Sequence, residues 1–232
     1  MSKFSVTLAA ALSAFACLST PLAAAETYGG VEFSGGEASF ADVVVTYAPG
    51  DPAPTNPYQG AFNALGIPDY AGANGCASQE TCTFLSLGNG GSATFQFTDN
   101  LLTGSGDDGF DLWIFEIGPD VEDTFVEISA DGITFFSVGS VGGATAGIDI
   151  DAYGFGVGST FAFVRLTDDP NEGATGGATV GADIDAVGAI STIQIVPAVP
   201  EPATWGLMLL GFFGIGATMR ARPAEGAMPA IG

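Results

Sequence analysis

Between residues 26 and 196, apolar and polar positions repeat with a period of two far more often than with the 3.6-residue period of a helix. The clearest runs are Thr124-Phe125-Val126-Glu127-Ile128-Ser129 and Phe161-Ala162-Phe163-Val164-Arg165-Leu166-Thr167, each reading as a strand with one buried face. Further strands are predicted at Ala38–Tyr47, Ala93–Phe97, Leu112–Glu116, Thr134–Val138 and Gly188–Val196, separated by Gly, Asn, Asp and Pro turns. Asp131-Gly132 falls between two of them. Glycine accepts the positive φ of a type I′ turn, so the pair predicts a two-residue hairpin. No part of this stretch predicts a helix. With 35 glycines and closely spaced strands, the economical architecture is all-β, an antiparallel β-sandwich or jelly roll. A β-helix of stacked repeats is the rival, but no fixed period runs through the chain. The one echo, Ile148-Asp149-Ile150-Asp151-Ala152 against Asp183-Ile184-Asp185-Ala186, is too short to be a repeat.

The two ends break this pattern. Lys3 precedes an apolar run from Phe4 to Leu18, followed by Pro21 and the small residues Ala23-Ala24-Ala25. This is the layout of a secretory signal peptide over 1–25, with Ala23 and Ala25 at the small positions of an A-x-A cleavage site and a mature chain starting at Glu26. At the other end, 197–202 is a proline-rich linker that can continue neither sheet nor helix. Ala203 to Met219 then carries no charge, and Arg220 and Arg222 follow. A helix of that length reaches roughly 25 Å, near the lower limit for a bilayer crossing. Its core, Trp205 to Gly214, has no polar face to turn toward water. A transmembrane helix over 203–222 is expected, with Trp205 at the outer interface and the arginines as the cytoplasmic stop, followed by a short tail at 223–232.

Charge narrows the partners. The chain has 26 acidic and four basic residues and a formal charge of -22. Only Glu201 and Glu225 of the acids lie outside 26–199, and only Arg165 of the bases lies inside. Nucleic acid, which is gripped by Lys and Arg neutralising phosphates, is excluded as a partner. A folded domain this acidic repels itself, and internal ion pairs cannot relieve it, so cations are its natural partners. Disorder is the alternative for a highly charged chain, but 47% hydrophobic and 11% aromatic residues argue for a folded domain over 26–196. Cys17 lies in the signal peptide, which leaves Cys76 and Cys82 to form a disulfide in an oxidising compartment. Zinc bound by these thiols is a poor fit, because the chain has no histidine and no second cysteine pair.

The order Val199-Pro200-Glu201-Pro202, then a Trp-initiated, glycine-rich apolar helix, then Arg220 and Arg222, resembles the PEP-CTERM sorting signal. The resemblance implies that Pro200, Glu201 and Pro202 are read by exosortase, a membrane-embedded protease of Gram-negative bacteria that secrete exopolysaccharide. It further implies anchoring in the inner membrane in transit and delivery to the cell surface or extracellular matrix. Pro223 to Gly232 extends past the arginines, where such signals usually end.

Five stretches together resemble a bacterial surface domain frequently found ahead of such signals and similar in fold to galactose-binding-like jelly rolls. They are Asn63 to Asp69, Ser86 to Ser92, Asp111 to Glu116, Val126 to Gly132 and Gly181 to Val187. A fold of that kind commonly hosts calcium and sugar-binding loops, and the resemblance transfers no activity. Calcium takes six to eight oxygen ligands, and the run Asp107-Asp108-Gly109-Phe110-Asp111-Leu112-Trp113-Ile114-Phe115-Glu116 supplies carboxylates around an apolar strand. Asp183 and Asp185 are alternate residues of a strand and would share a face, as would Asp149 and Asp151. The expected calcium ligands are Asp111, Glu116, Asp183 and Asp185, and Asp69 joins them through the resemblance alone.

Without histidine, the usual Ser-His and Cys-His nucleophile systems are excluded. Paired carboxylates leave a surface glycoside hydrolase as the alternative, with Glu116 and either Glu127 or Asp111 as its acids. In so acidic a chain such pairs arise by chance, so the expectation is a non-catalytic protein. Trp113, Tyr58, Tyr70 and Tyr153 could stack on sugar rings, though Trp113 sits in a strand and could equally be core. Arg165 should pair with a carboxylate.

Overall fold

The computed structural model describes residues 24–70, 76–118, 122–173, 175–195 and 202–220. Most of the expected signal peptide, Pro200, Glu201, Arg222 and the tail at 223–232 lie outside these residues. The chain divides into two units, Met1–Ile195 and Val196–Gly232.

The first unit is mostly β, with four sheets and antiparallel ladders throughout. In chain order its strands are β1 (Glu26–Tyr28), β2 (Val31–Phe33), β3 (Val43–Ala48), β4 (Leu85–Ser86), β5 (Ser92–Gln96), β6 (Asn100–Leu102), β7 (Leu112–Glu116), β8 (Asp123–Ser129), β9 (Phe136–Gly142), β10 (Thr145–Ile148), β11 (Phe163–Asp168), β12 (Asp183–Ala189) and β13 (Thr192–Gln194). A five-stranded sheet runs β3-β5-β11-β8-β9 and a four-stranded sheet runs β10-β7-β12-β4. The hairpin β1-β2 and the pair β13-β6 are the two small sheets.

The two larger sheets share one core. Phe95, Val126, Ile128, Val164 and Leu166 from the five-stranded sheet pack with Leu85, Leu112, Ile114, Ile184 and Val187 from the four-stranded sheet, all buried. Each such side chain contributes about 1.5–3 kcal/mol by leaving water. A second, smaller core lies on the other side of the four-stranded sheet. There Phe33, Phe40, Phe115 and Ala186 are buried, with Tyr28, Val31 and Trp113 packed against them. Phe33 and Phe40 have ring centroids 4.6 Å apart, and both approach Phe115. Trp113 is thereby placed against the second core, with Phe110 edge-on at 5.3 Å.

Several boundaries differ from expectation. The strand expected at Gly188–Val196 lies earlier, at Asp183–Ala189, and the chain pairs again at Thr192–Gln194. All seven residues of β12 are buried, so no alternation marks it in the sequence. Residues 36–39 form a 3-10 turn, and the strand expected from Ala38 begins at Val43. The β8-β9 hairpin exists, but its turn is longer than two residues. Asp131 Oδ1 accepts the N–H groups of Ile133 and Thr134, each at 2.8 Å, and that side-chain turn spreads the connection over 130–135. Cys76 and Cys82 are disulfide-bonded.

In the second unit, α1 (Pro202–Arg220) opens on proline, whose missing N–H costs nothing at a first helical position. Leu207, Leu210, Phe212 and Phe213 are each about two-thirds exposed or more. Among the described residues no helix is long and apolar enough to cross a membrane.

Candidate functional site

Acidic side chains gather at both ends of β7. At its C-terminal end Glu116 is the last residue of the strand, and its backbone partner in β12 is Ile184, next to Asp183. The Ile117 N–H donates to the Asp183 carbonyl at 2.9 Å, which fixes Asp183 beside the end of β7. Asp168 ends β11. Its Oδ1 accepts the Ala182 N–H at 2.7 Å and its Oδ2 the Gly90 N–H at 2.8 Å. The Asp169 N–H donates to the Asp123 carbonyl at 2.9 Å and draws the start of β8, with Glu122 before it, to the same place. Two glycines make room. A Cβ on Gly91 would overlap the Leu87 carbonyl, and one on Gly173, where φ is +68°, would overlap the Glu122 side chain.

Four carboxylates from four strand ends, Glu116, Glu122, Asp168 and Asp183, are therefore buried together, none more than 8% exposed. Burial pushes the Glu116 carboxyl up to about 8, and Glu122, Asp183 and Asp168 add to the rise by repulsion, against a hydrogen bond from the Glu122 backbone. Burial also raises Asp183 to about 8; the Ser86 hydroxyl, which donates to its Oδ1, opposes the rise, and Glu122 and Asp168 strengthen it. Asp168 is raised by burial and lowered by its two backbone hydrogen bonds. Glu116 Oε1 is buried with no hydrogen-bond partner.

Beside this group, the register of β12 slips by one residue between Ile184 and Ala186, a bulge at Asp185. Asp185 accepts the N–H groups of Asp69 at 3.2 Å and Tyr70 at 3.4 Å. Burial lifts its carboxyl to about 6 against those two hydrogen bonds. Pro68, Tyr70, Phe115, Glu116 and Asp185 line an open cleft of about 440 Å³.

At the N-terminal end of β7, Asp111 is fully buried and fully engaged. Its Oδ1 accepts the Ser105 N–H at 2.8 Å and its Oδ2 the Ile150 N–H at 3.0 Å. Asp151 accepts the Gly106 N–H at 3.0 Å. Carboxylate oxygens of Asp111, Asp149 and Asp151 lie within 4.8 Å of one another.

The five expected metal ligands thus fall in three places. Glu116 and Asp183 come together, Asp69 and Asp185 come together, and Asp111 stands at the far end of β7, about 17 Å along an extended strand from Glu116. Asp183 and Asp185 do not share partners, because the bulge interrupts the alternation that would put them on one face. The sequence reading missed Glu122 and Asp168. The available signal was position: each flanks a strand that the alternation did predict. Glu127 is not near Glu116's partners; it pairs with Arg165 at 2.6 Å on the five-stranded sheet, and the guanidinium lies 3.9 Å over the Phe135 ring.

Residues 198–222 match the PEP-CTERM protein-sorting motif. The match marks an exported protein that is membrane-anchored in transit and processed by exosortase. α1 falls within the matched stretch. No curated protein matches the chain. Among solved structures it is similar to the C-terminal domain of a chitobiase from Bacteroides fragilis, with 13% identity and a TM-score of 0.37 over 68% of this chain and 97% of that one. A likeness so distant carries no argument about activity.

Proposed function

We propose that this is a non-catalytic protein of the cell surface or extracellular matrix of a Gram-negative bacterium. In this reading exosortase releases an acidic β-domain from a bilayer-seated α1, and the domain works with calcium among exopolysaccharide. The carrying observation is the sorting motif at 198–222, joined directly to a domain whose strands end at Gln194. The exposed apolar side chains of α1 suit lipid contact. The absence of histidine and the scarcity of bases suit a scaffold better than a catalyst. Against hydrolysis stands the separation of Asp111 from Glu116, well beyond the roughly 5–9.5 Å that paired glycosidase acids require, and the commitment of Glu127 to Arg165.

Fractionating cells and weighing the protein tests the reading. The wild-type chain should appear outside the cell as a species ending before Ala203, and deletion of 200–202 should leave full-length protein in the membrane fraction. Full-length wild-type protein in the cell interior overturns it. Release of reducing ends from the host's own exopolysaccharide by purified protein would favour the hydrolase alternative, for which Glu116 and Asp185, lining one cleft, are the nearest candidates.

A further inference from the structure

The face of the five-stranded sheet turned away from the main core differs in charge from the rest of the domain. Val164 and Leu166 of β11 are buried in that core, so Phe163, Arg165 and Thr167 point to the other side. Strand register extends Arg165 into a row across the sheet: Thr46, Thr94, Arg165, Glu127 and Ser137 are successive partners on β3, β5, β11, β8 and β9. Five strands set the ends of this row roughly 19 Å apart. Thr167, Phe125 and Ser140 flank it on one side, and Val43, Gln96 and Phe163 on the other. Arg165 and Glu127 are the only charged side chains in these rows, and they pair with each other. Asp42 and Asp123 adjoin the margins. A platform of zero net charge thus lies on a domain with one base and a large surplus of acids.

The ion pair at its centre is only half used. Glu127 Oε2 accepts from both Nε and Nη2 of Arg165, each at 2.6 Å. Among the described residues, Glu127 Oε1 and Arg165 Nη1 make no hydrogen bond, and the two side chains are 27% and 34% exposed. The Phe135 ring lies 3.9 Å from the guanidinium and fixes its plane. An acceptor and a donor are therefore held side by side at the surface. Around them Thr46, Ser137 and Ser140 offer exposed hydroxyls, and Phe125 offers an exposed ring.

We propose that this face binds a strand of uncharged polysaccharide, with Glu127 Oε1 and Arg165 Nη1 meeting neighbouring hydroxyls of one sugar and Phe125 stacking on another. The proposal rests on the reading of a domain that works among exopolysaccharide, and it gives that contact a place. A sugar hydroxyl both donates and accepts, so two adjacent hydroxyls satisfy the carboxylate oxygen and the guanidinium nitrogen together, through charge-assisted hydrogen bonds. The apolar side of a sugar ring suits an aromatic face. Charge selects against the other occupants. An acidic polysaccharide meets the repulsion of the whole domain with no free base to offset it, and a second copy of this chain brings a like surplus of acids. A neutral strand meets neither cost.

Affinity electrophoresis of the full chain, purified after export, tests the face. The probes are the neutral and acidic fractions of the host's own exopolysaccharide, separated by anion exchange. The neutral fraction should retard wild type, and the retardation should persist from about 0.1 M to about 1 M sodium chloride, because screening does not weaken an uncharged ligand's contacts. Arg165→Met should weaken binding at least tenfold. Phe125→Ala should do the same, and it serves alone if Arg165→Met fails to fold. Tyr70→Ala, in the cleft beside Glu116, should bind like wild type. No binding of the neutral fraction by wild type, full binding by both face variants, or binding of the acidic fraction alone overturns the proposal. A wild-type dimer that Arg165→Met dissociates would show that a second copy covers the face, and would overturn it too. Cell fractionation does not depend on this face, so failure here leaves the sorting assignment standing, and mis-sorting leaves the binding result standing.

Discussion

The two ends of β7 carry the same kind of residue in opposite conditions. At one end Asp111 is a hub: two backbone N–H groups point at it, and it organises the loops at 105 and 150. At the other end Glu116 is buried among three further acids, and one of its oxygens meets no donor. Burial alone does not separate them, since both are almost wholly enclosed. What separates them is the supply of donors. Asp111 receives a backbone N–H on each oxygen, whereas Glu116 has one hydrogen bond from the Glu122 backbone and an oxygen that receives none, so burial and the neighbouring acids hold its proton.

Breaking the strand between the ends should have the largest effect. Ile114→Ala, at the centre of the main core, should cost about 2–5 kcal/mol in chemical denaturation and destabilise both ends together. Asp111→Ala should cost about 2–4 kcal/mol by the same measurement, because two inward-facing N–H groups lose their acceptor. Glu116→Gln, measured without calcium at about pH 8 or above, should be neutral or stabilising, since the amide cannot ionise in the buried acidic group. Opposite signs for these last two substitutions would sharpen the contrast, and equal losses would break it.

A pH series without calcium probes the same contrast more gently. Glu116 and Asp183 have folded-state values of about 8, against an ordinary carboxylate value of about 4. The folded state therefore holds protons that the unfolded chain releases. Their stabilising contribution is complete below about pH 4 and is lost as pH rises through about 8. The thermal midpoint of the calcium-free chain should fall across that window, and Glu116→Gln should flatten the fall. Smallest of all should be Arg165→Met, which removes a partly exposed ion pair worth under about 1 kcal/mol in denaturant titrations.

The strands with one buried face were legible in the sequence. β8 was expected from Thr124 to Ser129 and runs Asp123–Ser129, and β7 has its expected bounds. The strands that were missed had lost their alternation for physical reasons. β10, Thr145–Ile148, is short and rich in small residues, and β12 buries every position, including the two aspartates that were expected on one face of a strand. That second failure also hid the site. An acid is ordinarily a sign of solvent, so Glu122 and Asp168, which flank predicted strands, were passed over, and Asp183 and Asp185 were read as a pair that the bulge in fact divides.

The position of β12 within its sheet has a consequence for export. Secretion delivers the chain from its N-terminus, so Phe33 and Phe40 emerge long before Ala186 and Gly188, against which they pack. β7 and β4 likewise arrive without the strand that lies between them. No shorter length of emerging chain can complete the four-stranded sheet, and such long-range pairing is slow to form. The sorting motif begins at residue 198, just after β12 and β13 have passed. In the proposed reading, a chain anchored there during export would be held once the described strands had passed, so the time taken for processing would also let the domain close before its release.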